Sequence, residues 1–229
     1  DKPVVNPWDE YALTEAVLLK ASHKVKATVM TVGTEEHKDA LKHGIAIGCD
    51  QAIRVWDDVM EGHDSLIYAR AVAAAVQKLS DVDLLIFGKE LADIASDQHI
   101  FQVARKLGWN MIGSVAKIEA VDFDAKTITV QRAGDQGTET ITSSLPAVIS
   151  VLKDINEPKY PTFIGIRKAG KVDMPLWGAA ELGLDAVVLD ASGAQVKIQG
   201  HRETPTREGE VEIIEGASAQ EKAAALVDK

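Results

Sequence analysis

The sequence contains very little cysteine, since Cys49 is the only one among 229 residues. An intramolecular disulfide needs two cysteines and a cysteine-ligated zinc site needs several, so both are excluded for this chain. Long apolar runs are also missing. Stretches such as Ala71–Val76 and Leu84–Phe87 are far too short to span a bilayer, so we predict no transmembrane segment within these residues.

Positive charge is scarce, with 25 Lys and Arg against 35 Asp and Glu and a net charge of −10. Nucleic-acid-binding proteins usually present a basic face, so we predict no nucleic-acid partner. A mononucleotide remains an option, because helix N-termini and backbone amides bind phosphate without net positive charge. With 46% hydrophobic and 26% charged residues, the composition is that of an ordinary globular protein.

Motifs that carry known chemistry are absent from the sequence. It has no Walker loop, no Gly-x-Gly-x-x-Gly after a strand, and no nucleophile elbow or metalloprotease pattern. The six histidines are dispersed, and His37 and His43 are six apart, which is not a metal-ligand spacing on a helix. We therefore predict neither catalytic residues nor a metal site.

Helices and strands alternate through the first half of the chain. Strands such as Asp83–Phe87 are almost continuously apolar, which indicates burial on both faces in a parallel sheet. After Gly108, alternating segments joined by turns predict antiparallel strands at one edge. From Glu157 onward, proline, glycine and charge predominate. We predict an α/β fold with a doubly wound, mostly parallel sheet, an antiparallel edge extension and a long C-terminal arm.

Two loops lie where ligands bind in open parallel sheets, at the carboxyl ends of strands. One follows Val32-Gly33, and the other follows Phe87-Gly88. The second is long and polar and leads into a helix start, where free amides favour a phosphate. Its candidate ligand-binding side chains are Lys89, Ser96, Gln98 and His99. In the alternative interpretation, Ser96 or Asp97 only caps the helix and Lys89 is solvated.

Four segments, in the same order, resemble those of electron transfer flavoprotein beta subunits. They are Asn6–Ala12, Ala40–Ile53, the loop Gly88–Gln98, and the pair Leu145–Ile149 and Asn156–Thr162 with its Asn-Glu-Pro sequence. The resemblance covers residues 4–170. It implies an adenine-nucleotide α-hydrolase-like fold, with a nucleotide-binding domain over residues 1–156. Residues 157–229 would then form a recognition arm and a C-terminal tail that packs on the partner subunit.

The resemblance also implies cofactors. In this family the redox FAD lies mainly in the alpha subunit, and the beta subunit holds AMP or, in electron-bifurcating members, a second FAD. The cofactor-binding positions that match in this chain are Asn6, Val32, Gly33, Gly88, Lys89, Asp93, Ser96, Asp97, Gln98 and His99. Asp97 and His99 depart from the family pattern, and a carboxylate at position 97 repels a phosphate unless it is paired or aimed away.

The implied partners are an alpha subunit, electron-donating acyl-CoA or other dehydrogenases (or NADH), and a quinone oxidoreductase or other acceptor. Tyr160, Phe163 and Ile164 match the part of the arm that anchors on the dehydrogenase. An exposed apolar residue on an arm suits a partner pocket. Alternatively, Phe163 packs against its own domain. The implied location is the cytoplasm of a bacterium or archaeon, with a membrane-bound partner as one option.

The family normally begins with a strand that does not precede Asp1, so we expect the first strand to be missing. The chain also continues well beyond the arm, as in bacterial or archaeal members. Two other functions remain open: a stand-alone nucleotide-binding regulatory module of the universal-stress-protein type, and an enzyme that activates substrates with ATP. A stand-alone module has no use for the Asn-Glu-Pro arm. The sequence has no Ser-Gly-Gly-x-Asp-type phosphate loop of the kind such an enzyme needs.

Overall fold

A computed structural model describes residues 3–62, 64–197, 199–200, 202–206, 208–209 and 211–228. Contacts divide the chain into two units, Asp1–Lys197 and Ile198–Lys229. Among the described residues, no helix has the length and apolar character needed to cross a membrane. The charged stretch 197–212 of the expected tail includes Ile198, His201, Arg207 and Glu210, which lie outside the described residues.

The helices are α1 Pro7–His23, α2 Lys38–Ile47, α3 Ser65–Leu79, α4 Gln98–Leu107, α5 Phe163–Ala169 and α6 Ala219–Val227. The strands are β1 Thr28–Val32, β2 Gln51–Val55, β3 Leu84–Gly88, β4 Asn110–Asp122, β5 Thr127–Gly134, β6 Gly137–Ser144, β7 Ala147–Val151 and β8 Leu176–Trp177. α6 belongs to the second unit and begins after Ser218, whose hydroxyl accepts a hydrogen bond from the backbone N–H of Glu221.

The strands form two sheets, and the predicted α/β class is confirmed. In the first sheet, β1, β2 and β8 run parallel. In the second, β7 lies between β3 and β4 and is parallel to both. β5 and β6 then continue the sheet from β4 as antiparallel strands. The predicted parallel strands and the antiparallel edge extension are both present. The parallel strands, however, are divided between two separate sheets.

Helices cover both faces of the second sheet, as the continuously apolar strands predicted. In β7, Ile149 lies in a core cluster with Ala12 of α1, whereas the adjacent Val148 lies in a different cluster with Ile100 and Ala104 of α4. Successive side chains of a strand point to opposite faces, so α1 and α4 lie on opposite sides of the sheet. The C-terminal end of β3 and the loop after it therefore lie beside both helices.

The first sheet is covered in the same way. Val29 and Ala52 lie in a cluster with Leu41 and Ile45 of α2. On the other face, Ile53 and Val55 lie in a cluster with the buried side of α3. α2 also supports α5, because Ala169 belongs to the cluster on the α2 side. The arm after the Asn-Glu-Pro sequence is thus tied to the core of the first unit.

Candidate functional site at the end of β3 and on the arm

Asn6 fastens the loop that follows β3. It occupies the N-cap position of α1, but its side chain makes no capping hydrogen bond. Its Nδ2 instead donates to the carbonyl of Glu90 at 2.8 Å, and its Oδ1 accepts from the backbone N–H of Ala92 at 3.2 Å. Nδ2 also donates to Asp9 Oδ2 at 3.0 Å. The predicted site residue Asn6 therefore positions the loop and does not cap the helix.

Gly88 lies in direct contact with the first turn of α1. Its backbone N–H donates to Asp9 Oδ1 at 2.7 Å. A Cβ at position 88 would overlap the backbone of Trp8, so this approach requires glycine. Asp9 is one of two acidic residues in the first turn of α1. The structure gives it a second role at the end of β3.

Lys89 and the loop beyond it form a compact turn. The Lys89 ammonium lies 5.4 Å from the centre of the Trp8 ring, a cation–π distance, and 3.8 Å from the Glu90 carboxylate. The Leu91 N–H donates to the Ser96 carbonyl at 2.8 Å and closes the turn. Lys89 thus contacts Trp8 and Glu90 while its side chain stays 43% exposed, and its role toward a ligand stays a prediction.

The start of α4 carries no side-chain cap. Asp97 occupies the N-cap position, but its carboxylate accepts no capping hydrogen bond, and Ser96 uses its carbonyl within the loop. Asp97 thus lies at the N-cap position without a side-chain capping bond, and a ligand-binding role for Ser96 and Asp97 stays a prediction. A helix start without a side-chain cap keeps backbone N–H groups that suit an anion.

His99 lies in the first turn of α4 with its ring against Phe87. The two ring centres are 5.8 Å apart in an edge-on arrangement. Burial lowers the pKa of His99, while the nearby carboxylates of Asp9 and Asp97 act in the opposite direction. Burial therefore favours the uncharged form of the ring. Within the described residues its Nδ1 is buried and has no hydrogen-bond partner.

The remaining predicted site residues are less closely connected. Asp93 and Gln98 are exposed. Val32 is the last residue of β1 in the first sheet, and Gly33 follows it. The Gly33 N–H donates to Val55 O at 3.1 Å, and Arg54 Nη1 donates to Gly33 O at 3.3 Å. Hydrogen bonds thus join Asn6 and Gly88 to one site, whereas Val32 and Gly33 belong to a neighbouring strand end.

The arm is fastened to the middle of α1. Asn156 Nδ2 donates to Tyr11 O at 3.1 Å and to Glu15 Oε2 at 2.9 Å. Three residues later, the Lys159 N–H donates to Thr14 Oγ1 at 2.9 Å. Thr14 and Glu15 are buried polar side chains. These contacts explain why two polar side chains are buried in the middle of α1. Neither Thr14 nor Glu15 was among the site residues predicted from the sequence.

Three large apolar residues of the arm face outward. Thr162 caps α5 by accepting from Gly165 N–H at 3.0 Å, and a Cβ at Gly165 would overlap the carbonyl of Ala46 in α2. The exposed fractions are 91% for Tyr160, 93% for Phe163 and 84% for Ile164. The alternative that Phe163 packs against its own domain is wrong in this structure. The arm instead presents an apolar patch formed by Tyr160, Phe163 and Ile164.

Comparison with known proteins bears on this arrangement. The family model for the electron transfer flavoprotein domain matches residues 1–182. The chain belongs to the electron transfer flavoprotein family. Among its relatives, subunit beta of Megasphaera elsdenii is 31% identical over 213 residues, which cover 90% of this chain and 78% of that protein. Subunit beta of Bacillus subtilis is 32% identical over 221 residues, with 95% and 82% covered.

A third relative is named for a larger assembly. Subunit CarD of the caffeyl-CoA reductase–Etf complex of Acetobacterium woodii is 29% identical over 229 residues, covering 99% of this chain and 85% of that protein. The similarity therefore extends across both the β3 loop and the arm. The role of an electron transfer flavoprotein beta subunit is supported along almost the whole chain.

In this electron transfer flavoprotein chain, α1 connects the two regions of interest. Its first turn holds the β3 loop through Asn6 and Asp9, and its next two turns hold the arm through Thr14 and Glu15. A 17-residue helix thus sets the position of the candidate nucleotide loop and of the arm together. Sequence analysis identified both regions, but not the helix that joins them.

Proposed function

We propose that this chain works as the beta subunit of an electron transfer flavoprotein, in a heterodimer with an alpha subunit that carries the redox FAD. The observation that carries the proposal is the apolar patch, which is exposed on an arm fastened at Asn156, Lys159 and Gly165. Exposed aromatic and aliphatic residues on a fixed support suit a partner's pocket. A carrier of electrons between proteins needs such a docking element.

The β3 loop is the proposed nucleotide site of this chain, with AMP or a second FAD as its ligand. An α4 start without a side-chain cap and the orphaned His99 Nδ1 are compatible with a bound phosphate-bearing group. Lys89 adds positive charge, while Asp97 lies exposed at the N-terminal end of α4. The flavin supplies the electron chemistry when bound, and the protein positions it. Asn6 and Asp9 would hold the loop in the shape that receives the nucleotide.

The proposed electron donors are acyl-CoA or other dehydrogenases, or NADH, and the proposed acceptor is a quinone oxidoreductase or another protein. The Acetobacterium relative is named as part of a caffeyl-CoA reductase complex, which supports an acyl-CoA-linked partner. We also propose a cytoplasmic location in a bacterium or archaeon. Membership in the electron transfer flavoprotein family supports the proposed donors, the proposed acceptor and the proposed location.

The test is to produce the chain with its alpha subunit, purify the complex, and count bound nucleotides after denaturation by absorbance and chromatography. One FAD with one AMP per heterodimer would support an ordinary electron carrier. Two FAD would support a bifurcating assembly whose second flavin lies in this chain. A chain that purifies alone and without flavin would contradict the proposal and favour a stand-alone regulatory module.

A further inference from the structure

The exposed side of α5 combines apolar and basic residues in a fixed order. Phe163 and Ile164 stand in its first turn, and Arg167 and Lys168 stand in its last turn. Residues four apart share a helix face, so Arg167 lies beyond Phe163 and Lys168 lies beyond Ile164. All four side chains are exposed, because Gly165 and Ala169 form the side that packs on α2.

The segment around α5, residues 153–171, reverses the charge balance of the chain. Between Lys153 and Lys171 there are five Lys or Arg and two carboxylates, whereas the whole chain has 25 Lys and Arg against 35 Asp and Glu. Within the described part of the chain, no ion pair involves any of these five cations. The charge of Lys168 already acts within the chain, since it adds to the Lys20 hydrogen bond in lowering the pKa of Asp50 against the effect of burial. Lys168 and Arg167 are both exposed, so their charges can also reach a partner.

We propose that the apolar patch docks into a protein pocket bordered by carboxylates, and that Arg167 and Lys168 steer this encounter. The inference rests on the proposed function and names the chemistry of the dehydrogenase face that the arm meets. The carboxylates that border the partner's pocket attract these two cations and repel the rest of this acidic chain. The arm is therefore the part of the molecule that approaches the pocket first. The apolar residues then supply the short-range contact energy.

A membrane surface suits the same residue types less well. Interfacial helices bind through a continuous apolar face, and α5 has only seven residues with Gly165 and Ala169 turned to the core. The net charge of −10 also opposes approach to an anionic bilayer. A compact apolar turn followed by two cations matches a pocket with an acidic rim more closely.

The experiment uses the heterodimer with bound FAD and an acyl-CoA dehydrogenase reduced by its acyl-CoA substrate. The rate constant for electron transfer would be measured by stopped-flow over ionic strengths from about 0.01 M to about 1 M, where the screening length falls from ~30 Å to ~3 Å. The test variant carries Arg167→Glu with Lys168→Glu. The matched control carries Arg105→Glu with Lys106→Glu, the adjacent exposed cations in the last turn of α4.

We expect the test variant to lose about tenfold or more in second-order rate constant at low ionic strength, with the loss disappearing at high salt. The control, with the same change in net charge, should lose much less. A second variant, Arg167→Gln with Lys168→Gln, should show a smaller loss of the same salt dependence. Unchanged FAD content would show that each heterodimer is intact.

Two results would overturn the inference alone: equal rates for the test and control variants, or a loss in the test variant that persists at high salt. Cosedimentation of the wild-type heterodimer with phosphatidylserine vesicles, abolished in the test variant, would also overturn it in favour of a membrane. If the wild-type heterodimer forms but accepts no electrons from the acyl-CoA dehydrogenase, the inference fails alone, since other dehydrogenases or NADH are also proposed as donors. If the heterodimer does not form, the proposed function fails and the inference fails with it.

Discussion

Asn156, directly before the arm, donates a hydrogen bond to the buried carboxylate of Glu15 in α1 over 2.9 Å. The two residues are 141 positions apart, and the contact is reinforced by the Asn156 bond to Tyr11 O. Burying a carboxylate is costly unless it is hydrogen-bonded, so the pair makes the position of the arm depend on α1. Because α1 also holds the β3 loop, substitutions at Asn156 or Glu15 are expected to affect both the arm and the β3 loop.

The first prediction concerns pH. Burial raises the pKa of Glu15, while the bond from Asn156 acts in the opposite direction. A folded-state pKa above the unfolded value gives stability that is full below the unfolded pKa, near ~4.3, and is lost as pH rises through the folded pKa. Glu15→Gln should therefore be more stable than wild type at pH 8 and nearly equal to it at pH 4, as measured by urea unfolding.

The exposed Glu157→Gln is the control for that experiment, since it removes a carboxylate of the arm that is not buried. Its difference from wild type should be close to constant over the same pH range. Other carboxylates such as Asp64 have lowered pKa values and give the opposite slope, so the comparison must be between variants. If Glu15→Gln gains no stability at pH 8, the burial cost assigned to Glu15 is wrong.

The second prediction concerns the β3 loop. Asn6→Ala removes the bonds to Glu90 O and Ala92 N, which should lower the free energy of unfolding by about 1–3 kcal/mol. We also expect less nucleotide to be retained in this chain and faster proteolysis between positions 89 and 97. The control is Asn110→Ala, which removes a bond to Ser144 on the antiparallel strands. Equal nucleotide retention in both variants would contradict the role given to Asn6.

Local patterns predicted the elements well because each depends on neighbouring residues. The apolar run at 84–87 predicted a strand buried on both faces. In β3, Leu84 and Ile86 pack on one core cluster and Leu85 and Phe87 on another, although all four are only partly buried. Contacts between distant residues left no comparable pattern. The bond from Gly88 N to Asp9 spans 79 positions, and acidic residues are common in any first helical turn, so nothing in the sequence identified it.

The sequence also did not predict that the strands are divided between two sheets. Among the described residues, β1 pairs with β2 alone and β3 pairs with β7 alone. Apolar composition indicates that a strand is buried but does not say which strand it joins. On the arm, by contrast, the exposed positions of Tyr160 and Phe163 could be expected, because the resemblance identified them as docking residues.

The third prediction tests the apolar patch directly. Phe163→Ala should weaken dehydrogenase docking by about 2 kcal/mol, or roughly thirtyfold in apparent affinity, since exposed aromatic anchors often dominate such interfaces. FAD content should not change, because the side chain is 93% exposed and supports no core. Val187→Ala, at another exposed apolar residue, is the control. A wild-type KM for the dehydrogenase in the Phe163 variant would count against docking through the patch.

The fourth prediction separates the position of the patch from its composition. Gly165→Ala leaves every apolar side chain in place, but the added methyl group would overlap the backbone carbonyl of Ala46 and push α5 away from α2. Such overpacking costs typically ~1–3 kcal/mol. Gly170→Ala is a closely matched control, because its Cβ would meet only ordinary contacts beyond 3.5 Å to the carbonyls of Arg167 and Ile166. We expect Gly165→Ala to slow electron transfer and Gly170→Ala to leave the rate unchanged. Equal rates would mean that docking needs the apolar residues but not their fixed attachment to α2, and the arm would then act as a flexible tether.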